Sequence, residues 1–176
     1  MESLKTDFLC SELWILSWGA SVQRAGLFRR NASDKGRRAF RRRVIDFLSR
    51  EVLPWYVSPV DEASHNARIE HLSEAVTELD QDGVLRKGGY RIGVAQKLLN
   101  LQLKYMWCLG LVAEPPHCPV DRVIINKTGL RNRVAWTQLF KIHDYQAVIS
   151  AVREVAAAEG LSIAKWELTA YSRDDA

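Results

Sequence analysis

The chain has 176 residues, of which 47% are hydrophobic and 26% charged, with a net charge of +4 and a pI near 9.1. That is long enough for one well-buried core and too apolar for a disordered chain, and nothing at the start reads as a secretory signal, so a cytoplasmic protein is expected. Three cysteines, Cys10, Cys108 and Cys118, are an odd number at irregular spacing, which argues against a disulfide framework.

Residues 7–19 carry Phe8, Leu9, Leu13, Trp14, Leu16 and Trp18, which predicts a helix with one strongly apolar face lying in the core, Trp14 included. Nine basic residues then fall between Arg24 and Arg43, while acids gather between positions 61 and 82. Phe40, Val44, Phe47 and Leu48 recur at helical spacing and leave Arg41, Arg42 and Arg43 nearer the exposed side. Such a loop and helix, with Arg37 and Arg38, suits contact with a phosphate backbone. Pro54 and Pro59 bracket a segment that cannot easily stay helical and is expected to join two helical layers.

Over 61–79, Ile69, Leu72, Val76 and Leu79 share one face and Glu70, Glu74 and Glu78 another, which predicts an amphipathic helix. His65 and His71 lie in it six residues apart, too poorly aligned to share a metal, and are expected at the surface or in packing. Asp82-Gly83 and Gly88-Gly89 mark turns before a helix over about 92–109 that is apolar almost all round, with Trp107 in the core. Pro115-Pro116 breaks the chain and Pro119 stiffens the approach to Asp121. Tyr145, Val148, Ile149, Val152 and Val155 predict a further helix closed by Gly160, and Leu161–Tyr171 a last short one. With no alternating strand run and no internal repeat, the expectation is a single all-α domain over 1–176, a compact helical bundle.

Lys97 sits inside the apolar helix, in Gly93-Val-Ala-Gln-Lys97-Leu-Leu-Asn100. The apolar run around it is interrupted by Asn100, Gln102 and Lys104 and is far shorter than the ~20 residues a bilayer needs, so the lysine belongs to a soluble core or a cleft. Burying an ammonium is unfavourable unless it is paired or its pKa falls, and a lysine of lowered pKa is the type of nucleophile that forms Schiff bases. Asp121 follows 24 residues later, in Pro119-Val120-Asp121-Arg122. Read alone, Lys97 is equally a snorkelling or core-paired lysine and Asp121 a helix N-cap.

The segments Lys97-Leu-Leu-Asn100 and Pro115-Pro-His-Cys-Pro119-Val-Asp121-Arg-Val resemble the lysine and aspartate segments of helix-hairpin-helix DNA glycosylases, most closely the archaeal 8-oxoguanine branch. The resemblance covers roughly residues 85–125. It implies that Lys97 attacks the sugar C1′ as the base leaves and that Asp121 stabilises the cationic sugar; the resulting imine can go on to break the strand by β-elimination (AP-lyase activity), whereas a lysine that only positions a water would leave an intact abasic site. It also implies double-stranded DNA with a modified base as the partner, a monomer, and no cofactor. Lys87, Gly88, Gly89, Arg91 and Gly93 then become candidates for DNA contact, since glycines before a helix N-terminus suit close approach to a phosphate. A compact protein of this kind also looks like bacterial phage-defence glycosylases that excise glucosylated hydroxymethylcytosine. For the flipped base, Trp136 and then Trp166 are the aromatic candidates, with Gln138 and Asn100 as readers of polar edges.

His117-Cys118 lacks the companion motifs of a zinc deaminase, so no catalytic metal is expected; the absence of a Gly-x-Ser-x-Gly elbow argues against a Ser-His-Asp hydrolase, and the absence of a Gly-rich phosphate loop against ATP or GTP use. The competing expectation is a noncatalytic nucleic-acid-binding module that uses the Arg24–Arg43 cluster, with Lys97 structural.

Overall fold

The apolar spacings resolve into seven α-helices within residues 2–172, the span that the computed structural model describes. They are α1 (Glu2–Val22), α2 (Asp34–Phe47), α3 (Glu62–Glu78), α4 (Ile92–Cys108), α5 (Arg122–Asn126), α6 (Ile142–Ala158) and α7 (Ile163–Ala170). There is no β-strand among these residues; an isolated antiparallel bridge ties Phe28 to Leu85. Polar side chains start the helices where the chain turns: Ser33 accepts from Gly36 N–H for α2, Asp61 from Ser64 N–H for α3, and Ser162 from Lys165 N–H for α7. Gly160 ends α6 with φ of +69°, a left-handed conformation that glycine adopts without steric cost.

The Pro54–Pro59 segment departs from expectation. Leu48–Val52 forms a π turn and Leu53–Val57 a 3-10 turn, so the helical path runs on from α2 to Val57. Pro54 stands at the start of the 3-10 turn, where its missing N–H leaves no bond unmade.

Helix α4 is the axis of the fold: every residue from Ile92 to Leu103 is buried, and α1, α3 and the short 3-10 turn Trp136–Gln138 pack round it. Its N-terminus meets that turn closely. Gly93 N–H donates to the Leu139 carbonyl at 2.9 Å, and a Cβ on Gly93 would lie 1.8 Å from the Trp136 carbonyl oxygen.

Helix α1 does not bury the apolar face that its sequence predicts. Ser17 and Ser21 are its buried positions, Ser17 donating to Gln102 on α4 at 3.1 Å, whereas Phe8 is 63% exposed and Leu4, Leu9, Ile15 and Leu16 are also exposed. Its apolar residues are spread round the axis while α4 covers one side. Trp14 and Trp107 are likewise half-buried against the core, not within it.

A polar network lies between α3, α4, α6 and the Pro115–Pro119 segment. His65 Nδ1 is 2.7 Å from Tyr56 Oη, His117 Nδ1 is 2.9 Å from Tyr145 Oη, and the two imidazoles meet edge to face at 4.7 Å between centroids. His71, by contrast, is exposed. Burial holds both His65 and His117 neutral, with pKa values pushed down to about 3; the closeness of the two imidazoles, which disfavours protonating both, adds to the effect at His65, and the Arg153 guanidinium adds to it at His117.

In the unfolded chain both imidazoles take up protons near pH 6.5, and in the folded chain only near pH 3. Their contribution is therefore intact above pH 6.5 and lost as pH falls from 6.5 towards 3, at about 1.4 kcal/mol per unit for each group, which thermal unfolding across that range will show as a steep fall in Tm. Separately, Gly93→Ala is expected to cost about 3 kcal/mol or more. Gly19→Ala, in the last turn of α1 with nothing within 4 Å of a new Cβ, should instead gain ~0.5 kcal/mol. Denaturant melts of the two variants would refute this packing if they moved together.

Candidate active site

Asp121 is a helix N-cap and something more. Its Oδ1 accepts from Val123 N–H (2.9 Å) and Ile124 N–H (3.2 Å), which starts α5 and fixes the carboxylate plane. The other oxygen, Oδ2, lies 3.2 Å from Lys97 Nζ, and the two side chains are 14% and 9% exposed. The ammonium also stands over the Trp136 ring, 4.4 Å from its centroid, where the π face favours a cation. Burial lowers the Lys97 pKa; Asp121 opposes that and Arg24 adds to it, with a net effect downward.

Two clefts meet at this pair, each lined by both Lys97 and Asp121. The first, of about 450 Å³, is basic and polar, with Arg24, Arg122, Asn126, Asn132, Arg133 and Trp136 on its walls. The second, of about 400 Å³, opens between α1, α4 and α7, past Leu16, Gly19, Tyr105, Lys104, Glu167 and Tyr171. Glu167 is 1% exposed, and its Oε1 accepts from Lys104 Nζ at 2.8 Å while its Oε2, also buried, has no hydrogen-bond partner. Burial raises the Glu167 pKa and Lys104 opposes the rise. Lys104 also sits over the Tyr171 ring at 4.9 Å.

Of the sequence candidates, Lys97, Asp121 and Trp136 come together. The others separate. Asn100 is fully buried away from both clefts, its Nδ2 donating to Tyr145 Oη (3.1 Å) and Gln96 Oε1 (3.3 Å), so it cannot read a base edge. Trp166 is 2% exposed and its indole N–H donates to Glu159 at 3.0 Å; the neighbour on α7 that turns into the cleft is Glu167. Gln138 is exposed and lines neither cleft, whereas Thr137 beside it lines the first. Gly93 is buried with its N–H spent on Leu139, so its smallness serves helix packing and not approach to a phosphate.

Among the basic candidates, Arg38 and Arg42 are exposed, and Arg37 and Arg41 are half-buried against Phe28 and Trp18 at 5.4 and 6.0 Å. Arg38, Arg41 and Arg42 border a depression of their own and none lines the Lys97 clefts; Arg24 is the member of the basic cluster that does. Lys87, Gly88 and Gly89 form the turn before α4, with φ of +105° at Gly88 and +64° at Gly89. Arg91 donates to the Ala25 carbonyl and covers Phe140, so it holds the α1–α2 connection as well as facing outward.

Sequence reasoning passed over Glu167, Lys104, Tyr171, Arg122 and Arg133. Lys104 was open to it, standing two helical turns after Lys97 and so on the same face. Glu167 was not, because α7 meets α4 only through the tertiary fold. His117 and Cys118 are buried, His117 in the tyrosine bond described above, and no group of three or more metal-ligating side chains comes together among the described residues. No helix among them is long and apolar enough to cross a membrane. No known protein family, curated protein or solved structure matches the chain.

Replacing Asp121 with Asn keeps a competent cap but removes the charge that raises the Lys97 pKa. Lys97 should then titrate at lower pH than in the unsubstituted protein. Nζ chemical shifts followed by NMR through the alkaline range check this, and an unchanged or raised midpoint would contradict the electrostatic picture.

Proposed function

We propose that the protein is a DNA glycosylase that excises a modified base, with Lys97 as nucleophile and Asp121 as stabiliser of the sugar cation. The observation that carries this reading is a buried, pKa-lowered lysine 3.2 Å from a capped aspartate, at the junction of a basic cleft and an aromatic one. Breaking an N-glycosidic bond sends its electron pair away with the base and leaves positive charge on the sugar. A carboxylate held beside C1′ stabilises that charge more than it stabilises the neutral substrate. The unprotonated amine of Lys97 donates its lone pair to C1′, and the proton it loses passes to Asp121 or to the departing base. Opening of the sugar ring gives an imine, which water hydrolyses to an abasic site and free enzyme.

The two clefts divide the substrate. Arg24, Arg122 and Arg133 suit the phosphates flanking the target nucleotide. The second cleft suits the base: Tyr105 and Tyr171 offer aromatic surface, and the unpartnered Glu167 Oε2 offers a polar contact to the base edge. Leaving a buried carboxylate oxygen unpaired is unfavourable, and a ligand that bonds it removes that penalty. Either 8-oxoguanine or a hypermodified cytosine such as glucosylated hydroxymethylcytosine is the base, in repair or in phage defence respectively.

The test is base release from duplexes carrying 8-oxoguanine or uracil and from phage DNA with glucosylated cytosines, with borohydride added in parallel. One of these DNAs is expected to lose its base and to yield a borohydride-trapped protein adduct. Lys97→Gln should abolish the adduct, and Asp121→Asn should slow release roughly 10²–10³-fold. Should no DNA lose a base while binding persists, the protein is a noncatalytic nucleic-acid-binding module.

A further inference from the structure

Lys97 and Asp121 are each preceded by a residue that ties their backbones together. Gln96, fully buried, donates through Nε2 to the Val120 carbonyl at 2.7 Å, and its Oε1 accepts from the Val120 N–H at 3.1 Å. The same amide donates to the Gly93 carbonyl at 3.0 Å and accepts from Asn100 Nδ2 at 3.3 Å. All four hydrogen-bonding positions of the Gln96 side chain are thus used. One side chain satisfies both polar groups of the Val120 backbone, as a neighbouring strand would, in a stretch that belongs to no helix.

The ion pair does not itself define its geometry. An ammonium facing two clefts makes a weakly directional contact with a carboxylate, and a partly hydrated pair contributes little to stability. Hydrogen bonds to an amide are directional, and when buried they are expensive to leave unmade. On the far side, Asp121 Oδ1 is held by α5, which orients the carboxylate but does not set its distance from α4. That distance depends on where Val120 is anchored.

We propose that Gln96 is a positioning residue: its paired bonds to Val120 hold the Pro119–Asp121 turn against α4 and so set the Lys97–Asp121 separation on which base excision would depend. The inference rests on the glycosylase reading for its catalytic consequence and stands without it for the geometry. Asn100 supports the amide from behind. Its Nδ2 is shared with Tyr145 Oη, which in turn meets His117 of the same proline-rich segment, so the segment is also held one step further back.

Two readouts test this, and they fail separately. The first uses the protein without DNA. Lys97 is faced by Asp121 from the α5 cap, Arg24 from the end of α1, Arg122 and Arg133 across the first cleft, and Lys104 with Glu167 across the second; Asp121 is the group that raises its pKa. Gln96→Met, similar in length but unable to pair Val120, is expected to let Asp121 retreat and move the Lys97 NMR titration to lower pH, in the direction of Asp121→Asn. Tyr145→Phe, which breaks the network further back, is expected to lower Tm and leave the Lys97 titration in place. An unmoved titration in Gln96→Met, or an equal shift in both variants, overturns the proposal. If Gln96→Met does not fold, Gln96→Asn, with its amide drawn back by one methylene, carries the same test with the same sign.

The second readout is kinetic, on whichever DNA loses a base. Gln96→Met should lower kcat by roughly ten- to a hundredfold with KM little changed, as expected when reacting groups are displaced but the substrate is still bound. A raised KM at unchanged kcat counts against positioning. A shifted titration with no base released from any DNA by the unsubstituted protein refutes the glycosylase reading and leaves the role of Gln96 in the Lys97–Asp121 geometry standing.

Discussion

Burial of one ammonium governs how this chain is arranged. Lys97 projects from the most enclosed helix of the fold, in a run where every residue from Ile92 to Leu103 is buried. An isolated cation there would be strongly unfavourable. The surroundings resolve it by three means at once: a carboxylate at 3.2 Å, an indole face at 4.4 Å, and access to water through two clefts. Each means belongs to a different part of the chain. Asp121 arrives on the proline-stiffened approach to α5, and Trp136 on a 3-10 turn that Gly93 allows to press against α4. Moving any one of them would leave the charge exposed to apolar surroundings or release it to solvent.

The charge of Lys97 is also pulled two ways by its surroundings. Desolvation favours the neutral amine and Asp121 favours the ammonium, so the lysine stands between a structural ion pair and a reactive amine. A lysine wholly compensated by its carboxylate would be a poor nucleophile, and one left uncompensated would destabilise the core. Lys104, two turns further along the same face of α4, and Glu167 of α7 show the other outcome: there a closer contact of 2.8 Å secures one carboxylate oxygen while the second is left without a partner. The two pairs differ in which member is underused, the amine in one and the carboxylate in the other.

Most of the helical framework was legible in the sequence. The apolar patterning placed α3, α4, α6 and α7 close to their observed bounds, because their apolar residues are buried against neighbouring elements, on one face in α3 and almost all round in α4. The failures have physical causes. Residues of α1 are apolar on more sides than its neighbours can cover, so the same composition that predicts burial leaves Phe8 at 63% exposure. Pro54 marks the start of a 3-10 turn and not a break, since a proline is harmless where no N–H is required. Among site residues, Asn100 and Trp166 have the right chemistry for a base pocket and the wrong facing, which residue type alone does not encode.

By itself the sequence determined that the protein is helical, that a lysine lies within a helix apolar almost all round, and that a capping aspartate follows a rigid turn. These are local matters, set by side-chain periodicity and by the backbone preferences of proline and glycine. Only the tertiary structure decided that Lys97 and Asp121 meet, that the arginines of α2 stand apart from them, and that Glu167 and Tyr171 complete a second cleft. Contacts such as Lys97–Asp121 and Lys104–Glu167, between positions 24 and 63 residues apart, depend on how α5 and α7 pack against α4. That packing is settled by the shape of the whole core, which no short stretch of sequence contains.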